Sequence, residues 1–250
     1  MEANQTVIYG INAVLEKLRA SPDEIVEIVL MGEAGRVVQR EAENLGVRVV
    51  QGSRESLDRI TLGQRHQGVA ARVAAFRYWP VTELFESVLT APGPKRVLIL
   101  DSLTDPRNFG ALLRTAECAG APRVIIPKDR SVSVNSTVIK ASAGAAHHVK
   151  VYRVTNLRQV MKQLKIHGFW LAGLDLQAQT SIYDRTYPDK LAIVLGAEGQ
   201  GMRPLVRQEC DFCVSIPMIG RIASLNVAVA GAVFLYEVLR QHGNIDKAGT

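Results

Sequence analysis

Apolar positions along the chain follow two rhythms. Ile11, Val14, Leu15 and Leu18 recur at helical spacing, and Ile25–Leu30 is a β-branched run that reads as a buried strand. Residues 34–45 repeat the helical pattern, with Gly46 where a helix should stop. Residues 47–50 and 69–73 read as short strands, and Ser53 stands where it can cap a helix through Leu57. Residues 1–76 therefore predict a small α/β unit, large enough to fold alone. Residues 77–93 break the rhythm. Pro80, Pro92 and Gly93 flank a short helical pattern over 81–89, which predicts a connection between domains.

From residue 94 the alternation is regular. Strands are predicted at 96–100, 123–126, 169–173, 191–195 and 212–216, and helices at 109–119, 155–167 and 225–241. Strands alternating with helices imply a parallel sheet covered on both faces. The last helix carries Leu225, Val227, Val229, Val233, Phe234, Leu235 and Val238, apolar around much of its circumference, so it must be buried on several sides.

Composition narrows the class. The 250 residues are 47% hydrophobic and 22% charged, as in a globular chain. No apolar run approaches membrane-spanning length, and the polar start Met1–Thr6 has no signal-peptide character, so a cytoplasmic protein without a membrane partner is expected. The net charge is +6, yet the ten Lys and Arg of residues 1–80 are matched by ten Asp and Glu. The basic excess thus lies beyond residue 80, where it favours polyanions such as RNA. Three cysteines, Cys118, Cys210 and Cys213, are too few for a disulfide framework. Cys210 and Cys213 form a C-x-x-C without the second pair or histidines that zinc needs. The pair runs into a strand rather than opening a helix, so it reads as structural.

Three loops have the composition of a site, and all follow predicted strands, where open parallel sheets bind ligands. In the first, residues 101–108, Asn108 is placed to cap the next helix, and Arg114 six residues on can face out of the core. In the second, residues 195–201, Gly196, Gly199 and Gly201 permit positive φ and close approach of a ligand to the backbone. The order G-x-x-G-x-G is not the dinucleotide fingerprint, and Glu198 would repel a pyrophosphate. A neutral or cationic ligand fits better. In the third, residues 216–226, Ile216, Pro217 and Met218 can line an adenine pocket, and Ser224 and Asn226 can cap the final helix. Taken singly, each loop also has a plain reading: a capped helix with a surface arginine, a glycine turn, a capping pair.

Taken together, residues 101–116 (DSLTDPRNFGALLRTA), 195–201 (LGAEGQG) and 216–227 (IPMIG…SLNV) resemble the signature motifs of the SpoU, or TrmH-like, family of RNA ribose 2′-O-methyltransferases in the SPOUT superfamily. The resemblance spans nearly all of residues 96–240 and extends to Lys140–Ala145 and Val154–Leu157. Ala228 departs from it, because members often carry serine there. Tyr9–Val14 and His66–Ala70 resemble the ribosomal-protein-L30e-like substrate-binding domain of the branch that modifies a guanosine in large-subunit (23S) ribosomal RNA.

The resemblance implies an L30e-like RNA-binding domain over 1–76, a linker over 77–93 and a trefoil-knotted methyltransferase domain over 94–250. It also implies a homodimer that uses S-adenosylmethionine, releases S-adenosylhomocysteine and needs no metal. By the same resemblance Gly196, Ala197, Glu198, Gly201, Ile216, Pro217, Met218, Ser224, Leu225 and Asn226 hold the cofactor. Asn108, Arg114, Glu198, Ser224 and Asn226 take the catalytic positions, with Arg114 matching the proposed general base. An arginine pKa of about 12 or more conflicts with that role. Either Arg114 loses a proton transiently, or it stays charged, grips a phosphate beside the target ribose and aligns the hydroxyl. Three other readings compete: a transfer-RNA methyltransferase of the same family, a non-catalytic RNA-binding protein that keeps the fold, and a nicotinamide-dependent oxidoreductase. The absent G-x-G-x-x-G disfavours the last.

Overall fold

The computed structural model describes residues 5–74, 76–90 and 95–243. Pro92, Gly93 and Pro94, expected to mark the connection, lie outside them. The chain divides into two units, Met1–Arg77 and Tyr78–Thr250.

The first unit is a mixed four-stranded sheet. In chain order it comprises β1 (Gln5–Tyr9), α1 (Ile11–Ala20), β2 (Ile25–Leu30), α2 (Arg36–Asn44), β3 (Val49–Gln51), α3 (Arg54–Thr61) and β4 (Val69–Ala74). The strand order is β1-β4-β2-β3, with β4 antiparallel to both neighbours and β3 parallel to β2. Period-two alternation assigns the faces. Ile28, Leu30, Val69 and Ala71 pack with Val14 and Leu18 of α1 and Val38 and Ala42 of α2. Val29 and Ala70 point the other way and pack with Leu57 of α3. Ser53 caps α3, its Oγ accepting from Ser56 N at 3.2 Å.

The second unit is a six-stranded, wholly parallel sheet. It contains α4 (Val81–Thr90), β5 (Lys95–Leu100), α5 (Pro106–Cys118), β6 (Arg123–Pro127), α6 (Ser136–Ala141), β7 (Lys150–Val154), α7 (Leu157–Ile166), β8 (Trp170–Leu174), β9 (Lys190–Leu195), α8 (Pro204–Glu209), β10 (Phe212–Val214) and α9 (Val227–Gln241). The order is β10-β8-β9-β5-β6-β7, every pair parallel. From β5 the chain runs outward to β6 and β7, then returns to build the other half. That reversal is the topological switch point where such sheets take ligands at their carboxyl ends.

The helix expected inside a linker belongs instead to this unit. Leu84 and Val88 of α4 are buried in one core with Val97, Ile99, Tyr152, Met161 and Val194. Burial of each such side chain is worth about 1.5–3 kcal/mol, more than a loose connection would forgo. Trp79 N donates to Val151 O at 2.9 Å and Tyr78 Oη accepts from Val134 N at 2.8 Å, so the chain is tied to this unit from Tyr78 onward.

Two glycines bring the site-bearing helices close. A Cβ on Gly110 of α5 would lie 2.5 Å from Ala141 Cβ of α6, and one on Gly231 of α9 would lie 2.6 Å from both Leu112 of α5 and Leu195 of β9. Among the described residues no helix is long and apolar enough to cross a membrane, and no group of three or more His, Cys, Asp or Glu is placed to hold a metal ion.

Candidate functional site

The first loop begins where β5 ends. Asp101 is fully buried, and its carboxylate accepts from Arg203 N at 2.8 Å, Arg203 Nε at 2.7 Å and Ser102 Oγ at 3.2 Å. A buried carboxylate survives only with such partners. Arg203, just before α8, carried no signal in the sequence, because it lies 102 positions from its partner.

Asn108 does not cap α5, contrary to expectation. Asp105 takes that place, its Oδ1 accepting from Arg107 N at 2.8 Å, and Pro106 fills the first helical position, where a missing N–H costs nothing. Asn108 is thereby carried inside the first turn, nearly buried, with its amide free for other partners. Asn108 Nδ2 donates to Glu198 Oε2 at 3.1 Å, and Asn226 Nδ2 donates to Asn108 Oδ1 at 2.9 Å. Asn226 Oδ1 accepts in turn from Ala228 N at 2.9 Å and Val229 N at 3.4 Å, which caps α9. The direction of this chain is forced. An ionised carboxylate only accepts, so Asn108 must turn its NH₂ to Glu198, leaving its oxygen for Asn226 and the Asn226 oxygen for the helix. The aligned bonds run from the positive end of α9 to a carboxylate, and each polarises the next.

Glu198 is supplied by the second loop. Gly196 serves a need within the chain as well. A Cβ there would lie 2.0 Å from Gly201 C and 2.1 Å from Met202 N, so what approaches its backbone is the chain itself. The loop doubles back through Ala197 N to Gly201 O at 3.0 Å and Gly201 N to Ala197 O at 2.9 Å. Gly199 and Gly201 occupy the left-handed region, φ 76° and 69°, and an added Cβ at either would meet nothing within 4 Å. The loop is closed beneath and open above.

The third loop leaves β10 and reaches α9 without regular structure. Among the described residues, no backbone N–H of residues 216–226 finds a hydrogen-bond partner. Ile219 is 100% and Ile222 76% exposed, whereas Ile216 and Met218 are partly buried. Ser224 is exposed and leaves the capping to Asn226, so α9 starts at Val227 rather than Leu225. Arg114 is exposed on α5, six residues and so about 9 Å along the helix axis from Asn108. The fold therefore joins Asn108, Glu198 and Asn226 by direct contact, while Arg114 and Ser224 make no hydrogen bond to those three.

Known proteins match both units. Residues 95–236 match the SpoU rRNA methylase family, and residues 7–79 match the RNA 2′-O ribose methyltransferase substrate-binding family. The 23S rRNA (guanosine-2′-O-)-methyltransferase RlmB of Xanthomonas campestris is 43% identical, covering 95% of this chain and 97% of its own. RlmB of Bordetella pertussis is 45% identical, with 96% and 98% covered. The structure of the SpoU methyltransferase AviRb from Streptomyces viridochromogenes, in complex with the cofactor AdoMet, is 20% identical and shares the fold, with a TM-score of 0.66 over 95% of this chain and 90% of that one. The match runs through all three site loops and through both units, and on that ground the chain belongs to the SpoU rRNA methylase family.

Proposed function

We propose that this protein methylates the ribose 2′-hydroxyl of a guanosine in 23S ribosomal RNA, using S-adenosylmethionine, as a cytoplasmic homodimer. The observation that carries the reading is the Glu198–Asn108–Asn226 chain, which gathers one residue from each signature loop at the carboxyl ends of the strands. The full-length likeness to RlmB supplies the substrate.

The residues present fit the cofactor. The loop 216–226 offers unpaired backbone groups beside apolar side chains, which is what an adenine edge and face require. Gly196, Ala197, Glu198, Gly201, Ile216, Pro217, Met218, Ser224, Leu225 and Asn226 would hold it, with Glu198 favouring the positive end. The bound cofactor supplies a methyl group already activated on a sulfonium, so the chemistry asks for alignment and removal of one proton. Asn108 fixes Glu198, and Asn226 fixes Asn108 while anchoring α9. Arg114 keeps its charge, grips a phosphate beside the target ribose and orients the hydroxyl, and the proton leaves to that phosphate or to water.

Two further features of the family are part of the proposal. A knotted course is supported by the joining of the β8–β9 loop to the chain beyond β10: Ser215 N donates to Thr180 O at 2.9 Å and Ile182 N to Ser215 O at 2.9 Å. A dimer is supported by α9, which leaves Val229, Val233 and Tyr236 as a stripe at i, i+4 and i+7 with Val229 and Tyr236 about half exposed. The test is transfer of labelled methyl from S-adenosylmethionine to ribosomal RNA of a strain lacking the enzyme, followed by nucleoside analysis. Label in 2′-O-methylguanosine of 23S RNA is expected. Label in transfer RNA alone, or none, would overturn the assignment.

A further inference from the structure

The C-x-x-C, expected to be two plain structural cysteines, is a converging thiol pair. Cys210 ends α8 and Cys213 lies in β10, both partly buried. The two thiols are near enough to perturb each other. Each Sγ lies 3.1 Å from the point that a Cβ on Gly173 of β8 would occupy, and Met202 Cε lies 2.7 Å from the same point. Glycine at 173 thus leaves the space into which both sulfurs turn. Met202 separates that space from Gly201, so the pair sits directly behind the 195–201 loop.

The two thiols are not equivalent. The neighbouring Cys210 thiol holds the Cys213 thiol down to about 7 against its burial, with help from the Arg207 guanidinium. The same proximity to Cys213, with burial, pushes the Cys210 thiol up. Cys210 also lies at the carboxyl end of α8, where the helix dipole opposes a thiolate, and its Sγ donates to Val206 O at 3.6 Å. Nucleophile and resolving thiol are thereby distinguished.

We propose that Cys210 and Cys213 form a reversible intramolecular disulfide, a thiol-redox site behind the glycine loop. The oxidant is a low-molecular-weight disulfide such as glutathione disulfide. The Cys213 thiolate attacks one glutathione sulfur; the glutathione S–S bond breaks and one glutathione leaves as thiolate. The Cys210 thiol then gives its proton to that thiolate and its sulfur attacks Cys213 Sγ. The mixed S–S bond breaks, and the second glutathione leaves and takes up the proton that Cys213 had released to solvent. Two protein thiols are oxidised to one disulfide, and one glutathione disulfide is reduced to two thiols.

The test uses the full chain with Cys118→Ser, which removes an exposed competing thiol. The protein is equilibrated in graded ratios of glutathione to glutathione disulfide, trapped by alkylation, and read by intact mass and peptide mapping. The expected result is one two-electron step to a Cys210–Cys213 disulfide, reversed by dithiothreitol. With Cys210→Ser added, the reaction should halt at a glutathione adduct on Cys213; with Cys213→Ser it should slow by about tenfold or more. Two free thiols across the whole range, or separate adducts on both cysteines without an internal disulfide, would overturn the proposal. Neither readout depends on methyl transfer or cofactor binding.

Discussion

The two units spend their polar residues differently. In the first, buried polar groups serve nearby chain. His66 Nδ1 accepts from Gly68 N at 3.0 Å, so its proton sits on Nε2 and is given to Asp58 Oδ1 at 3.1 Å, eight residues away. A longer tie in this unit lies at the surface: exposed Gln67, held at φ 55°, accepts from Ile11 N at 3.3 Å across 56 residues and joins the two loops that resemble a substrate-binding domain. In the second unit the comparable bonds join Asn108 to Glu198 and Asn226 across 90 and 118 residues. Local polar pairs shape a surface; a chain of amides gathered from three loops builds a place for chemistry. RNA recognition by the first unit should rest on shape and specific contacts, since its charges balance, whereas the basic second unit supplies bulk attraction.

The comparison breaks most visibly at Arg114. Arg114→Ala should lower the methyl-transfer rate by about 10²–10⁴ while S-adenosylmethionine affinity stays within a few-fold, because the residue stands outside the cofactor loops. Single-turnover kinetics beside calorimetry separates the two, and an unchanged rate would remove Arg114 from the mechanism. Next in size is Asn108→Ala. It leaves Glu198 and Asn226, both exposed, without their shared partner, and a hydrogen bond to a charged group such as Glu198 is worth about 1.5–3 kcal/mol. Cofactor affinity should fall by about tenfold or more; an unaltered titration would show that the amide chain does not support the site. Smallest for the chemistry is His66→Ala. It should destabilise the first unit by about 1–3 kcal/mol, seen as earlier unfolding of residues 5–74 in hydrogen exchange, with cofactor affinity unchanged. A loss of cofactor binding here would erase the distinction between the units. Light scattering sharpens the dimer reading: a mass near 27.3 kDa, that of one chain, would contradict it.

Much of this was legible in the sequence, and the exceptions share a cause. Long periodic stretches such as α1, α7 and α9 declare themselves through apolar spacing. Helices α6 and α8, six residues each, are too short to show a period. Strand β7, Lys150–Val154, puts Lys150 and Arg153 among its apolar residues, and β1 follows a polar start, so neither reads as a strand. Asn108 was assigned to a cap because asparagine is a good one; Asp105-Pro106 is better, since it supplies both the cap and the first helical residue. The motif residues were visible one by one, but their hydrogen-bonded order was not, nor was the Asp101–Arg203 pair, because contacts across some 90 to 118 positions leave no local pattern. Gly196 has a further need that the sequence does not show, room for Gly201, five residues on.

The division of labour is tested most directly by comparing the full chain with a chain beginning at Tyr78. Both would be assayed for S-adenosylmethionine binding and for mapped methylation of unmodified 23S ribosomal RNA across a salt series. The account predicts that both bind the cofactor, that only the full chain methylates one guanosine selectively, and that the shortened chain keeps weak, salt-sensitive RNA binding. Undiminished rate and site selectivity in the shortened chain would contradict it.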